Sequence, residues 1–396
     1  MRCTLVSVVL ALAASAEAQT PLPVHFVGYH DVGWLNTSGQ GSQYLSTRVF
    51  YPSPTGGVDA PIASRPKGWP VIVFLHGYGL QGQSYTELAG HWASKGFVVA
   101  ALNQSMFSLF TEAADGNAMY AALAVENGTD SAFFAGTLDL QRIAIAGHSM
   151  GGAAMTMVLA NNPGYRCGFA FAPAFPGPTY SQLVDVPVGI AVGAGDLVTP
   201  WFLHSQPLFA TMQPADGLKA WYLLDNGCDH LNVAGLVGAA APQFARTCEL
   251  SVGFFRHFLE LDSSGLDTCL GPQAQHDPLM LLHEFDVARP RIWAAEPLGI
   301  GQTVRISVAN QGGPAAILAA PSAGWTTATP FGELLLDPNG TFAWTTGLGP
   351  GRRLDAFLTV PNSVSLVGSR IALQGLAPTI SAPLRLGSAV DLLVGQ

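Results

Sequence analysis

The stretch RIAIAGHSMGG, residues 142–152, contains the side chain best suited to covalent chemistry. An alternating apolar strand leads into a G-x-S-x-G sequence centred on Ser149, and an Ala- and Met-rich helical segment follows. This order is typical of a nucleophile elbow, a tight strand-to-helix turn that exposes a serine hydroxyl. The flanking glycines let the chain pass closely, and a helix N-terminus favours the negative charge of acyl transfer. Without that context the same letters would indicate only a Gly/Ser turn, so the context predicts Ser149 as nucleophile.

A base and an acid are needed to activate a serine hydroxyl. In the elbow fold they follow the serine as Asp or Glu and then His, each at the carboxyl end of a strand. The strand VPVGIAVGAG ends at Asp196, and the next strand, KAWYLLDNG, leads to His230. Asp185 precedes its strand, while Asp225 and Asp229 lie too near His230 in the same loop. We therefore predict that Asp196 and His230 complete a triad.

The other histidines fit this scheme less well. His91, His204 and His257 fall in helix-like segments, where a packing or surface role is the commoner one. His76 and His148 flank the glycine-rich loops and could line the site, but neither follows the acid in chain order.

A second glycine loop ends the strand VIVFLHGYGLQG, residues 71–82. Gly77, Gly79 and Gly82 spell G-x-G-x-x-G, the fingerprint of a dinucleotide-binding turn. Such a site also needs an acidic residue at the end of the following strand, whereas that strand, FVVAALN, ends at Asn103. We therefore predict no cofactor at this loop.

The same loop is better explained as an oxyanion hole. The backbone N–H of Tyr78 would face the nucleophile from this loop, and the N–H of Met150, directly after the serine, would be the second donor. No cysteine pair has the C-x-x-C spacing of a zinc site, and we predict no metal.

These residues lie in a region of alternating strands and helices, which we assign to a catalytic domain over 19–270. Its strands are continuous apolar runs, typical of a doubly wound, mostly parallel α/β sheet buried between helices. The predicted strands include QYLSTRVFYP, VIVFLHG, FVVAALN, DLQRIAIAG, RCGFAFAPA, VPVGIAVGAGD and KAWYLLDNG. The predicted helices are SYTELAGHWASKG, MGGAAMTMVLANN and ARTCELSVGFFRHFLEL.

The pattern changes after about residue 285. Short strands separated by Gly, Pro, Asn and Ser turns replace the alternation, with no helical periodicity between them. This spacing predicts an all-β sandwich over 285–396, joined by a linker over 271–284.

The chain's composition and charge restrict its class. Only 11% of residues are charged, against about 25% in typical globular proteins, and 49% are hydrophobic, so the chain is not disordered. The net charge is −9 and no Lys/Arg cluster exists, which argues against nucleic acid or an anionic membrane as partner. We expect no integral membrane segment and a monomer.

The N-terminus resembles an export signal over 1–18. Arg2 precedes the apolar run TLVSVVLALAASAEA, and Ala16-Glu17-Ala18 fits the small-x-small cleavage rule. The apolar run is too short to span a membrane. We therefore expect a secreted or periplasmic protein.

Four stretches together resemble the secreted polyester hydrolases and cutinases of bacteria, within the α/β-hydrolase superfamily. They are HGYGLQGQSYTELAGHWASKGFVVAALN, GHSMGG, VGAGDLVTP and NGCDHLN. They are also similar to chlorophyllases and to the plasma type of platelet-activating-factor acetylhydrolase. The resemblance covers about residues 22–270 and implies an acyl-enzyme on Ser149. It also implies that Tyr78 clamps an aromatic or acyl group.

The chain departs from that family in several places. The family usually carries a Trp after the strand that follows the elbow helix, where FAPAFPGP offers Phe171 or Phe175. The family's cysteine after the last helix pairs with one in a short tail, but no cysteine follows Cys269. The whole β region is additional.

Four cysteines remain once Cys3 leaves with the signal, which indicates two disulfides with three possible pairings. Cys228 and Cys248 are expected at the active-site end of the sheet, and Cys167 and Cys269 at the opposite end. We therefore predict the pairs Cys228–Cys248 and Cys167–Cys269.

Only APAFPGPTYSQLVD separates two neighbouring strands where lidded lipases insert a helical cap, so we expect an open groove. The combined expectation is a secreted serine carboxylic-ester hydrolase for bulky, lipid-like or polymeric esters such as cutin or PET. A carbohydrate esterase that removes acetyl or feruloyl groups, a chlorophyllase or lipid esterase, and a non-enzymatic surface adhesion protein remain alternatives.

Overall fold

The computed structural model describes residues 24–214, 218–348, 352–379, 382 and 384–395. The predicted export signal, with Arg2 and Cys3, lies outside these residues. Among the helices of the described ranges, none combines the length and the apolar character needed to cross a membrane.

Ten strands form one large sheet. Its strand order is β10-β9-β8-β7-β6-β4-β5-β2-β1-β3. The strands are β1 (Phe26–Leu35), β2 (Tyr44–Ser53), β3 (Gly57–Val58), β4 (Trp69–Leu75), β5 (Val98–Leu102), β6 (Leu138–His148), β7 (Gly168–Phe171), β8 (Val188–Gly193), β9 (Leu218–Leu224) and β10 (Met280–Val287). Six neighbouring strands pair in parallel: β5, β4, β6, β7, β8 and β9. At one end of this group β2 pairs antiparallel with β5, and at the other end β10 pairs antiparallel with β9.

Helices cover both faces of the sheet, and this explains why its central strands are apolar throughout. Every residue of β4, β5, β8 and β9 is buried. Helix α1 packs against α6, and α2 packs against α3. The helices are α1 (Thr86–Ser94), α2 (Leu109–Gly128), α3 (Met150–Asn161), α4 (Pro178–Ser181), α5 (Ser205–Thr211), α6 (Pro242–Glu260), α7 (Ser264–Leu270) and α8 (Pro272–Gln275). The predicted α/β architecture is confirmed.

Helix α2 is absent from the predicted elements because its buried face carries acidic residues. Glu112, Asp115 and Glu126 all lie in the interior. Asp115 accepts hydrogen bonds from the Ser42 main chain and hydroxyl, and Glu126 accepts one from the Trp34 indole. These carboxylates interrupt the apolar periodicity on which a helix prediction depends.

Glu112 lies beneath the glycine loop that follows β4. Its Oε1 is 3.5 Å from Nδ1 of His76, and both side chains are fully buried. Burial raises the pKa of Glu112 well above its usual value, the backbone N–H of His76 partly offsets this, and the charge of Asp115 adds to it. The folded chain therefore favours the protonated carboxyl.

We predict that Glu112→Gln increases stability at alkaline pH. A carboxyl whose pKa is raised by folding contributes stability below its unfolded pKa and loses it as pH rises through the folded pKa. The Tm of Glu112→Gln minus that of wild type should therefore grow between pH 5 and pH 9, as measured by circular dichroism. The control is Glu87→Gln, at an exposed position of α1. If the Tm difference from wild type does not change with pH in either variant, the prediction is contradicted.

The predicted linker over 271–284 is wrong from residue 280 onward. Residues Met280–Val287 form β10, which pairs with β9 in the register Phe285 to Ala220. This strand is the edge of the sheet and carries His283, Glu284 and Asp286. These polar residues interrupt the apolar pattern on which a strand prediction depends.

All four described cysteines are buried and free, so the predicted pairs Cys228–Cys248 and Cys167–Cys269 are wrong. Burial raises the pKa of the Cys228 and Cys269 thiols to about 12. At neutral pH these thiols are therefore protonated and unreactive.

Position in the sheet, both along and across the strands, explains why Cys167 and Cys269 do not pair. Cys167 directly precedes β7, whereas the Cys269 thiol donates to the Leu250 carbonyl at 3.3 Å and interacts with Tyr222 of β9. Strand β8 separates β7 from β9, and the strand registers place Tyr222 level with Phe171, four residues beyond Cys167. A disulfide needs Cα atoms within about 7 Å.

Cys248 lies on α6 and is hydrogen-bonded within the packing between α6 and α1. Its carbonyl accepts a hydrogen bond from Ser251, whose hydroxyl accepts one from the Trp92 indole of α1 at 2.9 Å. At Cys248, α6 therefore packs toward α1, and the structure leaves both the Cys248 and the Cys228 thiols free.

The C-terminal region consists of antiparallel sheets, and the prediction of an all-β region is confirmed. One sheet has the order β11-β12-β17, a second β16-β13-β18-β19, and a hairpin pairs β14 with β15. Ile306, Ile317 and Leu373 belong to a buried cluster shared by the first two sheets. The strands are β11 (Arg291–Ala294), β12 (Thr303–Ala309), β13 (Pro314–Ala320), β14 (Ala323–Thr329), β15 (Gly332–Leu336), β16 (Phe342–Leu348), β17 (Arg353–Thr359), β18 (Arg370–Ala377) and β19 (Arg385–Leu393).

Polar contacts join these sheets to the large sheet's helices. Asp267 of α7 accepts a hydrogen bond from the Trp293 indole at 3.0 Å and forms an ion pair with Arg305 of β12. Arg353 of β17 donates to the Leu270 carbonyl at 2.9 Å. The C-terminal region is thus bonded to α7 through side chains that are mostly withdrawn from water.

We predict that Asp267→Ala destabilises the whole chain. The substitution leaves the Arg305 guanidinium and the Trp293 indole without their shared acceptor, which costs about 1.5–3 kcal/mol for a hydrogen bond to a charged group. The control is Asp391→Ala, because the Asp391–Arg370 pair is 36% and 58% exposed and should contribute at most about 1 kcal/mol. Thermal unfolding of the full chain measures both, and equal Tm shifts would count against the prediction.

Candidate active site

Ser149 occupies the turn between β6 and α3, with φ of +56° and ψ of −118°. Residues other than glycine rarely adopt a positive φ. Space around the turn is so limited that a Cβ on Gly147 would lie 2.2 Å from the Gly151 carbonyl oxygen. A Cβ on Gly151 would lie 2.2 Å from a carbonyl oxygen of β4. The G-x-S-x-G pattern is therefore a steric requirement of this turn.

The structure brings Ser149, His230 and Asp196 together. Nε2 of His230 is 2.9 Å from the Ser149 Oγ, and its Nδ1 is 2.8 Å from Asp196 Oδ2. Asp196 follows β8 and His230 follows β9, so neighbouring parallel strands position both. All three side chains are buried, which strengthens the electrostatic interaction between them.

Asp196 is held as an ionised acceptor. Burial opposes its ionisation, but hydrogen bonds from His230 and Thr199 outweigh that effect and keep the pKa of Asp196 below its usual value. The Thr199 hydroxyl donates to Oδ2 at 2.8 Å, and the N–H groups of Val198 and Thr199 donate to Oδ1 at 2.8 Å. A carboxylate only accepts hydrogen bonds. The Nδ1 of His230 therefore carries the proton, and its Nε2 accepts from the serine hydroxyl.

Two backbone N–H groups near Ser149 have no protein acceptor in the described ranges. One belongs to Tyr78, and the other to Met150 at the first position of α3, where helix amides are unpaired. The loop of Tyr78 lies against the serine, because a Cβ on Gly77 would be 3.4 Å from the Ser149 Cβ. These are the two amides that the sequence assigns to an oxyanion hole.

The other glycines of the G-x-G-x-x-G pattern are explained by contacts within the protein. Gly79 has φ of +74°, and its N–H donates to the Met106 carbonyl at 2.6 Å. A Cβ on Gly82 would lie 2.5 Å from the main chain of Ala101 in β5. In the ranges that the structure describes, no group of three or more His, Cys, Asp or Glu side chains could hold a metal ion.

A family model described as PET hydrolase-like matches residues 18–266, more than half of the chain. The chain belongs to the PET hydrolase-like family. The predicted resemblance to polyester hydrolases is thereby confirmed, and in general terms the protein is a carboxylic ester hydrolase. A search of curated proteins found no match.

The position that usually carries a Trp in polyester hydrolases differs in this member of the PET hydrolase-like family. Phe171 is the last residue of β7 and is fully buried, so it cannot face a substrate. Phe175 is partly buried, and its N–H donates to Nδ1 of His204 at 3.2 Å. Of the two phenylalanines, only Phe175 remains a candidate for that role.

Exposed apolar side chains cluster in the segments next to the Ser149, Asp196 and His230 loops. Tyr78 is 65% exposed and Phe107 is 66% exposed, and their rings meet edge to face with centroids 5.3 Å apart. Large apolar residues are also exposed elsewhere in the described chain, for example Leu261 and Val364, but a contiguous exposed patch marks contact with a ligand or partner. Other exposed apolar residues close in sequence to Asp196 or His230 are Leu197, Val198, Phe202, Leu203 and Leu231.

Thr199 and Phe107 are among the residues near the site that the sequence did not predict. A signal for Thr199 exists, because a hydroxyl residue three positions after an acid can bond back to it. Phe107 gave no signal, since its position beside Tyr78 depends on how the chain turns after β5.

We predict that Thr199→Val lowers kcat/KM for a p-nitrophenyl ester about tenfold. The variant removes one hydrogen bond to the charged Asp196 carboxylate, for which about 1.5 kcal/mol is typical, and 1.36 kcal/mol corresponds to tenfold in rate. The matched variant Thr199→Ser retains the hydroxyl and should stay near wild type. Equal activity in both variants would show that the hydroxyl does not support Asp196.

Proposed function

We propose that this protein is an exported serine esterase that cleaves bulky or polymeric carboxylic esters through an acyl-enzyme on Ser149. The observation that carries the proposal is the continuous hydrogen-bonded series of Ser149, His230 and Asp196. Family membership independently supports ester hydrolysis.

In the first half of the reaction, Oγ of Ser149 attacks the ester carbonyl carbon while Nε2 of His230 takes the hydroxyl proton. The ionised Asp196 stabilises the resulting imidazolium. The N–H groups of Tyr78 and Met150 donate to the oxyanion of the tetrahedral intermediate. When the intermediate collapses, His230 gives its proton to the leaving alcohol and the acyl group stays on Ser149.

In the second half, a water molecule attacks the acyl carbonyl and gives a proton to His230. The second tetrahedral intermediate collapses to the carboxylic acid, and the proton returns to Oγ of Ser149. A loss of one oxyanion donor should cost about 100- to 1,000-fold in turnover.

The surroundings of the site support an ester larger than a small metabolite. Between β7 and β8 the described chain contains only the four-residue helix α4, which is shorter than a lipase lid. The exposed apolar residues near the site, led by Tyr78, Phe107 and Leu197, favour apolar substrates. This favours polyester or cutin-like esters over acetylated or feruloylated polysaccharides.

Export is part of the same proposal. It rests on the signal-like residues 1–18, since an extended polymer can only be attacked outside the cell. The free cysteines are compatible with it, because burial raises the pKa of every one of their thiols and keeps them protonated.

A substrate panel tests the proposal. The panel consists of p-nitrophenyl esters, polyester film, acetylated xylan and chlorophyll. We expect p-nitrophenyl ester cleavage and soluble products from the film, and labelling of Ser149 by a fluorophosphonate. Activity confined to acetylated xylan or chlorophyll would show that the proposed substrate class is wrong. Absence of labelling at Ser149 would overturn the proposed mechanism.

We predict that two conservative variants distinguish the role of Asp196 from that of the nearby Asp225. Asp196→Asn should lower kcat about 10⁴-fold, because the amide favours the wrong imidazole tautomer. Asp225→Asn is the matched control and should retain activity, since the Asp225 carboxylate accepts from the Gly227 N–H and the Gln243 amide and has no hydrogen bond to His230 in the described ranges. The opposite ranking would assign the acid to Asp225.

A further inference from the structure

A series of hydrogen bonds behind Ser149 links three separate loops. The N–H of Gly77 donates to the Tyr85 hydroxyl oxygen at 2.8 Å. That hydroxyl is 2.8 Å from Nδ1 of His148, and Nε2 of His148 is 2.8 Å from the His230 carbonyl oxygen. The series therefore connects the oxyanion loop, the elbow and the loop of the catalytic base.

Only one arrangement of protons satisfies all three contacts. The His230 carbonyl can only accept, so Nε2 of His148 carries a hydrogen. Burial, aided by the neighbouring His230, lowers the pKa of His148 to about 3, so the imidazole is neutral and its Nδ1 is bare. The Tyr85 hydroxyl must then donate to Nδ1 and accept from the Gly77 N–H. Burial also raises the pKa of Tyr85 far above its usual value, so the hydroxyl keeps its proton.

Each end of the series holds a main-chain segment that carries a reacting group. Gly77 directly precedes Tyr78, whose N–H is a proposed oxyanion donor. The carbonyl that accepts from His148 belongs to His230, the proposed base. His148 directly precedes Ser149 and lies with its ring centroid 4.7 Å from that of His230.

The packing around Tyr85 leaves little freedom for these segments. A Cβ on Gly77 would lie 3.0 Å from both the Tyr85 hydroxyl and Nδ1 of His148. The Tyr85 ring packs on Phe74 of β4 with a centroid distance of 4.6 Å. Tyr85 is 1% exposed, so water cannot replace its hydroxyl without rearrangement.

We propose that Tyr85 is a positioning residue for ester hydrolysis, whose hydroxyl keeps the oxyanion amides and His230 aligned with Ser149. This rests on the proposed triad but adds a residue that does not touch substrate. A displacement of about 1 Å at a reacting group can cost about 100-fold in rate. Loss of the hydroxyl frees both the Gly77 loop and the His148 ring, so the effect should fall on kcat and leave KM nearly unchanged.

The test compares Tyr85→Phe with Tyr165→Phe in the full chain. Tyr165 is equally buried, and its hydroxyl donates to the Gly116 carbonyl at 2.8 Å with no bond to the site. With a small p-nitrophenyl ester, Tyr85→Phe should lower kcat about 10- to 100-fold, while KM changes less than about twofold. Tyr165→Phe should lower the Tm by a similar amount and leave kcat within about twofold.

A second readout distinguishes alignment from general loosening. Sulfur accepts hydrogen bonds weakly, so a thionoester gains less than an ester from the oxyanion amides. The ester-to-thionoester ratio of kcat should therefore fall in Tyr85→Phe and stay at the wild-type value in Tyr165→Phe. If Tyr85→Phe does not fold, His148→Gln replaces it, because glutamine can still donate to the His230 carbonyl but lacks the ring nitrogen that Tyr85 holds.

The outcomes separate this proposal from the proposed function. If Ser149→Ala retains wild-type activity, the triad is wrong and the role of Tyr85 is overturned with it. If Ser149→Ala is inactive but Tyr85→Phe matches Tyr165→Phe in kcat and in the ester-to-thionoester ratio, only the role of Tyr85 is overturned.

Discussion

The positive φ of Ser149 is the constraint on which the rest of the site depends. A residue held in such a conformation costs about 1–3 kcal/mol, which the surroundings must offset. The Ser149 N–H donates to the Phe171 carbonyl, and its carbonyl accepts from the Ala174 N–H, both at 3.0 Å. Both partners belong to β7 or directly follow it, so the turn needs β7 paired with β6. Because β7 also pairs with β8, the strand order that holds the nucleophile also places Asp196.

This dependence explains which parts of the site were predictable. In a parallel sheet the carboxyl ends of the strands share one edge. The predicted strand ends were therefore sufficient to place Ser149 and His230 together, although 81 positions separate them in the sequence. Side-chain contacts between loops were not predictable in this way. The helical pattern after Gly82 says nothing about a Tyr85 hydroxyl that reaches His148, 63 positions further along. Such a contact depends on the angle at which α1 packs, which periodicity does not encode.

The errors have the same origin. Strand and helix directions assign each cysteine to one end of the sheet, but they do not give its sideways position among the strands. Cys167 directly precedes β7, whereas Cys269 contacts Tyr222 of β9, which lies level with the last residue of β7. Strand β10 was missed because an edge strand needs only one apolar face, and its charged residues matched the pattern of a linker. The α/β and all-β patterns were clear where strands are buried on both faces or alternate regularly.

The edge position of β10 also bears on the C-terminal region. An uncovered edge strand would expose unpaired backbone groups to other chains. Here Arg352, from the C-terminal region, donates to the Phe285 carbonyl of β10 at 2.8 Å. Trp293 of β11 lies in the same buried cluster as the core of the large sheet. The family match ends at residue 266, before both the edge strand and these contacts. The additional sheets therefore contact the edge strand β10 and contribute Trp293 to the buried core of the large sheet.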